Sequence, residues 1–248
     1  MKDIERLTNI LLSLNNRVNP KDFDEADRGF LAAISCKDIA LAQQNLLATG
    51  LAPDQLWRIW TQNNRILPDP AAKLRAELPA NHILQRVLAE HEMILCFIAD
   101  LDEVTNKIHN MGFASSTNSD IRKLAHIATH LLYSEQHHER EEQIIFPQLR
   151  KKGYHRLLKV INDQHRQISQ KYSELKDLVW LIDSINFDDF KSQLQELVAY
   201  LVIALRIHIF VEANIVFPLA LEVINDSRIW QKMKETCDQI GYCGYDAR

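Results

Sequence analysis

Four long stretches of the sequence repeat apolar residues at intervals of three and four, the spacing that places them on one face of an α-helix. The stretches are separated by the short breaks MGFASSTNS, KKG and DSINFDD. We predict helices A to D, in chain order, at about 81–111, 119–151, 154–184 and 187–224. Short connections between long helices are typical of an antiparallel up-down four-helix bundle, so we expect an all-α fold.

The chain ahead of these helices is organised differently. Ser35 can cap a helix over SCKDIALAQQNLLATG that stops at Gly50, and APDQLWRIW starts another helix. The sequence PDP at 68–70 then interrupts the chain. We therefore predict a small helical domain at 1–66, a linker at 67–80, the four-helix bundle at 81–225 and a C-terminal appendage at 226–248.

Composition narrows the classes of partner. The chain has 248 residues, of which 46% are hydrophobic and 25% charged, and its net charge of −4 comes with no basic stripe. We therefore expect no nucleic-acid partner. No uninterrupted apolar run approaches the 18–20 residues or so of a membrane span, so we expect no membrane association.

The N-terminal sequence and the cysteines predict the compartment. The first residues, MKDIERLTNILLSLNNR, include acidic side chains and no small-residue cleavage site, so we expect no signal peptide. Cys36, Cys96, Cys237 and Cys243 show no metal or redox spacing, which predicts reduced thiols. A cytoplasmic protein is expected.

Each predicted helix carries a polar residue where its apolar stripe should continue. On helix A, positions 84, 87, 94, 98, 101 and 108 are apolar, and the missing member of the series is His91. The corresponding residues on the other helices are His137 and Glu141 on B, His165 on C, and His208 and Glu212 on D.

These polar residues are expected to lie at one level of the bundle. Counting along the helices at a rise of about 1.5 Å per residue, His91 lies about 23 residues before the centre of the first break and His137 about 22 after it. His165 lies about 21 residues before the last break and His208 about 22 after it. The six side chains should therefore converge within about one helical turn.

A short internal sequence repeat supports a shared site on helices B and D. The segments HHEREEQIIFP (137–147) and HIFVEANIVFP (208–218) have His, Glu, Ile, Phe and Pro at the same five offsets. A histidine and a glutamate four residues apart share a helical face, so both can reach one point. As isolated core residues, these groups would each need a hydrogen-bond partner; one metal centre satisfies all of them together.

Ligand chemistry favours two metal ions. Four imidazoles and two carboxylates are too many for one tetrahedral zinc ion, and they fit two octahedral ions with bridging carboxylates. We assign Glu141 and Glu212 as the bridges. The predicted terminal ligands are His91, His137, His165 and His208. Iron is the first choice, and manganese or zinc are alternatives.

Other histidines near this level are candidates for further site residues. His130 and His126 could line an access route or provide an alternative ligand. His82 lies some 13 Å along the helix from the site, so it could close one end of the bundle or lie on the surface. His138 and Glu142 repeat the His–Glu spacing one residue out of phase with the site pair on helix B. We therefore expect them on a solvated face.

The paired H-x-x-x-E…FP elements resemble the hemerythrin-like, HHE-type cation-binding family, and the resemblance covers about residues 81–225. It implies a di-iron centre that binds oxygen or nitric oxide. In oxygen-carrying hemerythrins a fifth histidine stands where this chain has Ser169, and the last motif is H-x4-D where this chain has H-x3-E. The resemblance therefore implies an open coordination position and a reactive or sensing centre instead of reversible oxygen carriage.

The segment SCKDIALAQQNLLATGLAPDQLW resembles a helical domain found ahead of such bundles. Similar centres occur in iron–sulfur repair proteins, which carry an adjacent cysteine pair where this chain has only Cys36. The resemblance thus implies sensing, detoxification or iron–sulfur repair, with a redox or signalling protein as partner. An oxidoreductase that reduces nitric oxide or peroxide is one possibility. The alternative is a helical binding module stabilised by zinc or manganese, which acts through its N-terminal domain without redox chemistry.

Overall fold

The computed structural model of the chain describes residues 2–15, 24–63 and 70–241. All regular structure within these ranges is helical, which confirms the all-α prediction. Part of the expected linker and the end of the expected appendage, including Cys243, lie outside the described residues. Cys36, Cys96 and Cys237 are free thiols.

The described N-terminal residues form five helices, α1 to α5. In chain order they are Lys2–Asn15, Glu25–Ala33, Cys36–Ala48, Pro53–Asn63 and Pro70–Glu77. The start of α3 is as predicted, because the Ser35 hydroxyl oxygen accepts a hydrogen bond from the Asp38 amide at 3.1 Å. The helix ends before Gly50, whose φ of +99° lies in the left-handed region that favours glycine.

Helix α5 lies within the segment predicted as a linker, 67–80. Eight of those residues, Pro70–Glu77, are helical. The sequence PDP predicts an interruption of the chain, and a proline at the first helical position loses no intrahelical hydrogen bond. Pro70 therefore begins α5.

The bundle consists of two continuous helices and two interrupted ones. Helix A corresponds to α6 (Ile83–His109) and helix C to α10 (His155–Trp180). Helix B is divided into α7, α8, a first π segment and α9, which span Ser119–Tyr133, Glu135–Arg140, Glu141–Ile145 and Phe146–Lys151. Helix D is divided into α11, a second π segment and α12, which span Phe187–Val211, Glu212–Val216 and Phe217–Val223.

The four long helices close a ring in which each packs against two neighbours. Helices α6 and α10 both contact α7 and α11, as expected for an up-down bundle with short loops. Asparagine caps begin the second and fourth helices. The Asn118 side-chain oxygen accepts from the Asp120 amide at 2.8 Å, and that of Asn186 accepts from the Asp188 amide at the same distance.

Two apolar cores lie above and below the level predicted for the site. The first core joins the N-terminal helices to the adjacent end of the bundle, and the second fills the end that carries the first and last bundle loops. Along α6 the change from one core to the other falls between Leu88 and Ile94, and along α10 it falls between Ile161 and Ile168. His91 and His165 lie within these intervals, so the polar residues form a layer between two cores.

The predicted appendage contains an ordered helix. Helix α13 (Ser227–Ile240) contacts α6, α8 and the first π segment. The Asp226 carboxylate caps it by accepting from the Arg228 amide at 2.9 Å, and its buried face includes Met233 and Cys237.

One continuous helical stretch of the described residues, Phe187–Val223, is long and apolar enough by length and composition to cross a membrane. The prediction from the sequence is that no uninterrupted apolar run reaches the length of a membrane span. Core helices pass the same test, and this one packs against α6 and α10 within the bundle.

Candidate metal centre

The structure brings the six predicted site residues together in the polar layer. None of their side chains is more than 2% exposed. The six are His91 from α6, His137 from α8, His165 from α10, His208 from α11, and Glu141 and Glu212, each the first residue of a π segment.

Three imidazoles surround the carboxylate of Glu212. Its Oε2 lies 3.2 Å from His91 Nε2 and 3.1 Å from His208 Nε2. Its Oε1 lies 3.2 Å from His165 Nε2. One carboxylate thus faces ring nitrogens from three helices.

The carboxylate of Glu141 also faces imidazole nitrogens. Its Oε1 lies 3.5 Å from His137 Nε2, and its Oε2 lies 3.6 Å from His165 Nε2. Both oxygens of this carboxylate therefore face imidazole nitrogens, as do both oxygens of Glu212.

The donor atoms form two overlapping sets, each within 4.8 Å. One set has His91 and His137, the other has His165 and His208, and both include the two glutamates. Two cations bridged by two carboxylates need this arrangement.

The hydrogen bonding of the site fits cations better than an uncharged core. Burying a polar atom without a partner costs about 1–3 kcal/mol. Within the described residues, buried site atoms without a hydrogen-bond partner are Nδ1 and Nε2 of His91, Nε2 of His137 and His208, both carboxylate oxygens of Glu141, and Oε2 of Glu212. Coordination would satisfy nitrogen and oxygen donors of this kind together.

Three of the four imidazoles also form a hydrogen bond through Nδ1, the ring nitrogen that faces away from the two carboxylates. The acceptor oxygens lie 2.7–2.9 Å away and belong to Glu90 for His137, Glu142 for His165 and Gln164 for His208. Such bonds fix the tautomer and ring orientation of metal-binding histidines, and they leave Nε2 directed to the centre.

A protein-family model, the hemerythrin HHE cation binding domain, matches residues 82–220, more than half of the chain. The chain belongs to this family. No curated protein matches it. The family confirms the predicted resemblance and the hemerythrin-like helical bundle, and it indicates that the domain binds a cation. The polar layer of this HHE domain contains the histidine and glutamate groups that could hold one.

The two glutamates of the HHE domain begin matching π segments. The Phe146 amide donates to the Glu141 carbonyl, and the Phe217 amide donates to the Glu212 carbonyl, five residues back instead of four. A proline follows each phenylalanine and cannot donate to the helical ladder. The structure shows a wider π turn before each of these prolines, a feature frequent at functional sites.

His138 does not lie on a solvated face, so that expectation was wrong. Its side chain is only 4% exposed, and its ring stacks on that of His165 with centroids 4.1 Å apart. A helix turns about 100° per residue, not 180°, so a residue next to the buried stripe can still be buried. His138 faces α10, while His137 faces α6.

Glu142 was also expected to face solvent and instead contacts the site. Its Oε1 lies 2.7 Å from His165 Nδ1, although about a third of its side chain remains exposed. The same 100° step from Glu141 explains its position.

A buried ion pair supports His137 from the outside of the site. The guanidinium of Arg140, fully buried, contacts both carboxylate oxygens of Glu90, and Glu90 accepts the bond from His137. Arg140 Nη1 also donates to the carbonyl of Gly241 at 2.6 Å, which ties the end of α13 to the centre. The sequence pattern gave no signal for Glu90 or Arg140.

The pKa values of the two carboxylates are shifted in opposite directions. Burial and the nearby charge of Glu212 raise the pKa of Glu141 well above its ordinary value. Burial opposes ionisation of Glu212 too, but the imidazoles of His208, His165 and His91 lower its pKa well below the ordinary range.

The histidines also respond to burial. Burial lowers the pKa of His91 to about 4, and it lowers the pKa of His208 and, more strongly, of His138. Burial acts in the same direction on His165, but the hydrogen bonds that its ring donates to the carboxylates of Glu142 and Glu212 raise its pKa overall. A cation would bind readily to the neutral imidazoles.

The remaining candidate histidines lie outside the described donor sets. His130 stacks on Phe97 with centroids 5.1 Å apart and contacts the exposed His126. His82 caps α6, since its Nδ1 accepts from the Leu84 amide at 3.2 Å, and its ring packs against Trp230. His82 thus closes one end of the bundle, which was one of its two predicted roles.

Proposed function

We propose that this chain is a non-haem di-iron protein that binds a small diatomic ligand, oxygen or nitric oxide. The observation that carries the proposal is the convergence of four imidazole Nε2 atoms on two carboxylates in a buried layer. His91 and His137 would hold one ion, His165 and His208 the other, and both glutamates would bridge them. Bound iron would supply a redox-active position at which a diatomic molecule can coordinate.

The protein contributes orientation and exclusion of water. Apolar residues such as Leu88 and Ile94 border the layer on either side, so the centre lies in a dry environment that strengthens charge interactions. Glu90 and Gln164 fix the rings of His137 and His208. Mixed imidazole and carboxylate donors suit iron, and also manganese and zinc.

Metal content and absorption test the proposal directly. Protein produced with iron should contain about two irons per chain and show the charge-transfer absorption of a bridged ferric pair. A colourless protein with one zinc ion would refute the di-iron proposal and favour the structural binding module. If the purified protein contains manganese instead of iron, manganese is the metal of the site.

Contacts between the second π segment and the N-terminal helices favour a sensing role. The Asn214 side-chain oxygen accepts from the Ala71 amide at 3.3 Å, and the Cys36 thiol lies 3.5 Å from the Asn214 carbonyl. Asn214 is two residues from Glu212, so a shift of that carboxylate would reach α3 and α5 directly. A protein that binds these helices would be the signalling partner.

Stopped-flow mixing separates sensing from catalysis. When the reduced di-iron protein is mixed with nitric oxide or oxygen, a sensor should show one stoichiometric absorption change that reverses on removal of the ligand. Repeated consumption of nitric oxide or peroxide with an added reductant would indicate an oxidoreductase instead. No absorption change with either ligand would refute diatomic binding.

A further inference from the structure

We propose that His126 and His130 form a second metal site, separate from the polar layer and open to solvent, that binds a divalent transition ion such as zinc. Both histidines lie on α7 (Ser119–Tyr133), four residues apart. Residues at this spacing share one face of a helix, with Cβ atoms about 5–6 Å apart. Helices of zinc enzymes present two histidines to one ion at the same spacing.

The two rings already lie close to the arrangement that one ion requires. Their centroids are 4.2 Å apart, and their planes make an angle of 68°. With zinc–nitrogen bonds of about 2.0–2.1 Å, two imidazoles on neighbouring positions of one ion have ring centres roughly 4.5–5 Å apart. A small rotation of the exposed His126 side chain covers this difference. Because the planes are not parallel, the in-plane lone pairs of the two rings can meet at one point.

The ring of His130 is held in place by α6. It stacks on Phe97 with centroids 5.1 Å apart and an interplanar angle of 10°. Stacking uses a face of the ring, whereas a metal binds at its edge, where both nitrogens lie. A ligand that is already ordered loses little side-chain entropy when the ion binds. His130 would therefore be the fixed ligand, to which His126 adjusts.

This site cannot share an ion with the polar layer. His130 lies seven residues before His137, about 10 Å along the helix axis. Neither His126 nor His130 belongs to a donor set of the layer among the described residues. The ligands of the layer are at most 2% exposed, whereas His126 is exposed and His130 is half-buried. Water, or a donor atom of another molecule, would therefore occupy the remaining positions on the ion.

Zinc stoichiometry tests the assignment without reference to the metal of the buried centre. Metal-free protein is titrated with zinc(II) by isothermal titration calorimetry. The wild type should bind one ion more than His126→Gln and one more than His130→Gln, whatever number of ions the polar layer takes. The matched control is His155→Gln, which removes an exposed histidine at the start of α10 and should bind as many ions as the wild type. Equal stoichiometry in the wild type and the two site variants overturns the proposal.

A cysteine replacement separates coordination from packing. Thiolates are also zinc ligands, so His126→Cys should restore the ion that His126→Gln loses. If His155→Gln loses an ion as His126→Gln does, zinc binds exposed histidines without a defined site, and the proposal fails. Failure of the di-iron function would appear separately, as absence of iron from the buried centre, and would leave the difference between the wild type and His126→Gln unchanged.

Discussion

At the scale of single residues, side chains that stand next to the predicted ligands in the sequence also reach the polar layer. The interrupted apolar stripes indicated all six converging residues. Glu90, Gln164, His138 and Glu142 each stand next to one of them in the sequence, about 100° around the helix. The spacing of apolar residues assigns such positions to the surface, because it does not show what fraction of the helix circumference is buried. These residues are buried because each helix of the bundle contacts two neighbouring helices.

Removing either predicted bridge should abolish the centre. Glu141→Ala and Glu212→Ala should each lose most of the bound metal, because each carboxylate belongs to both donor sets. Metal analysis of the purified variants measures the loss, and circular dichroism verifies that they fold. Glu139→Ala changes an exposed glutamate of the same helix and should bind metal normally. Full metal occupancy in both site variants would contradict the bridging assignment.

Gln164→Leu should weaken metal binding without removing a ligand. The substitution keeps a similar volume but leaves His208 Nδ1 without its acceptor, now 2.8 Å away. Loss of such a supporting bond lowers metal affinity by about 10–100-fold. Chelator competition measures this change, with Gln167→Leu on the exposed face of α10 as control. Equal affinity in the two variants would show that Gln164 does not orient His208.

At the scale of helices, continuous elements were predicted better than interrupted ones. Helices A and C match α6 and α10 to within a few residues, because their apolar periodicity is unbroken and their ends carry clear signals. Helices B and D contain π segments, and periodicity has no pattern for one extra residue in a turn. The Phe-Pro pairs located these irregularities but did not specify their geometry.

The junction between α3 and α12 predicts a local effect of Glu222. Its two carboxylate oxygens accept from the amides of Cys36 and Lys37 at 3.1 and 3.2 Å, as an acidic cap for α3. In Glu222→Ala, these amides should exchange hydrogen about fivefold faster, which corresponds to about 1 kcal/mol for a lost cap. Hydrogen exchange with mass spectrometry measures the rate.

The metal content of Glu222→Ala should equal that of the wild type, because Glu222 contacts no predicted ligand. Glu235→Ala removes an exposed carboxylate from α13 and serves as the control. Unchanged exchange in α3 would contradict the capping role.

At the scale of the whole molecule, a polar layer between two apolar cores makes stability depend on pH. Burial lowers the pKa of His91 from 6.5 to about 4, so the unfolded chain binds a proton in this interval and the folded chain does not. Stability from this residue is complete above pH 6.5 and is lost as the pH falls towards 4. At pH 5 the loss is about 2 kcal/mol.

Urea unfolding of the metal-free protein at pH 7 and pH 5 measures this dependence. The lowered pKa values of His138, His208 and Glu212 add to this loss, whereas the raised pKa values of Glu141 and His165 oppose it. The contribution of His91 is therefore the difference between the wild type and His91→Gln, which should lose about 2 kcal/mol less between the two pH values, while His126→Gln should resemble the wild type. An equal change in the wild type and in His91→Gln would contradict the burial of a neutral His91.

The first apolar core crosses the boundary of the family match. Buried residues of α3 and α4, such as Ile39, Leu46 and Trp60, belong to the same core as Leu157 of α10 and Phe217 of α12. A fragment that began at residue 82 would expose this face to water, directly below the ligand-bearing turns. A fragment that keeps these apolar surfaces buried must therefore include the N-terminal helices and is longer than the region matched by the family model, residues 82–220.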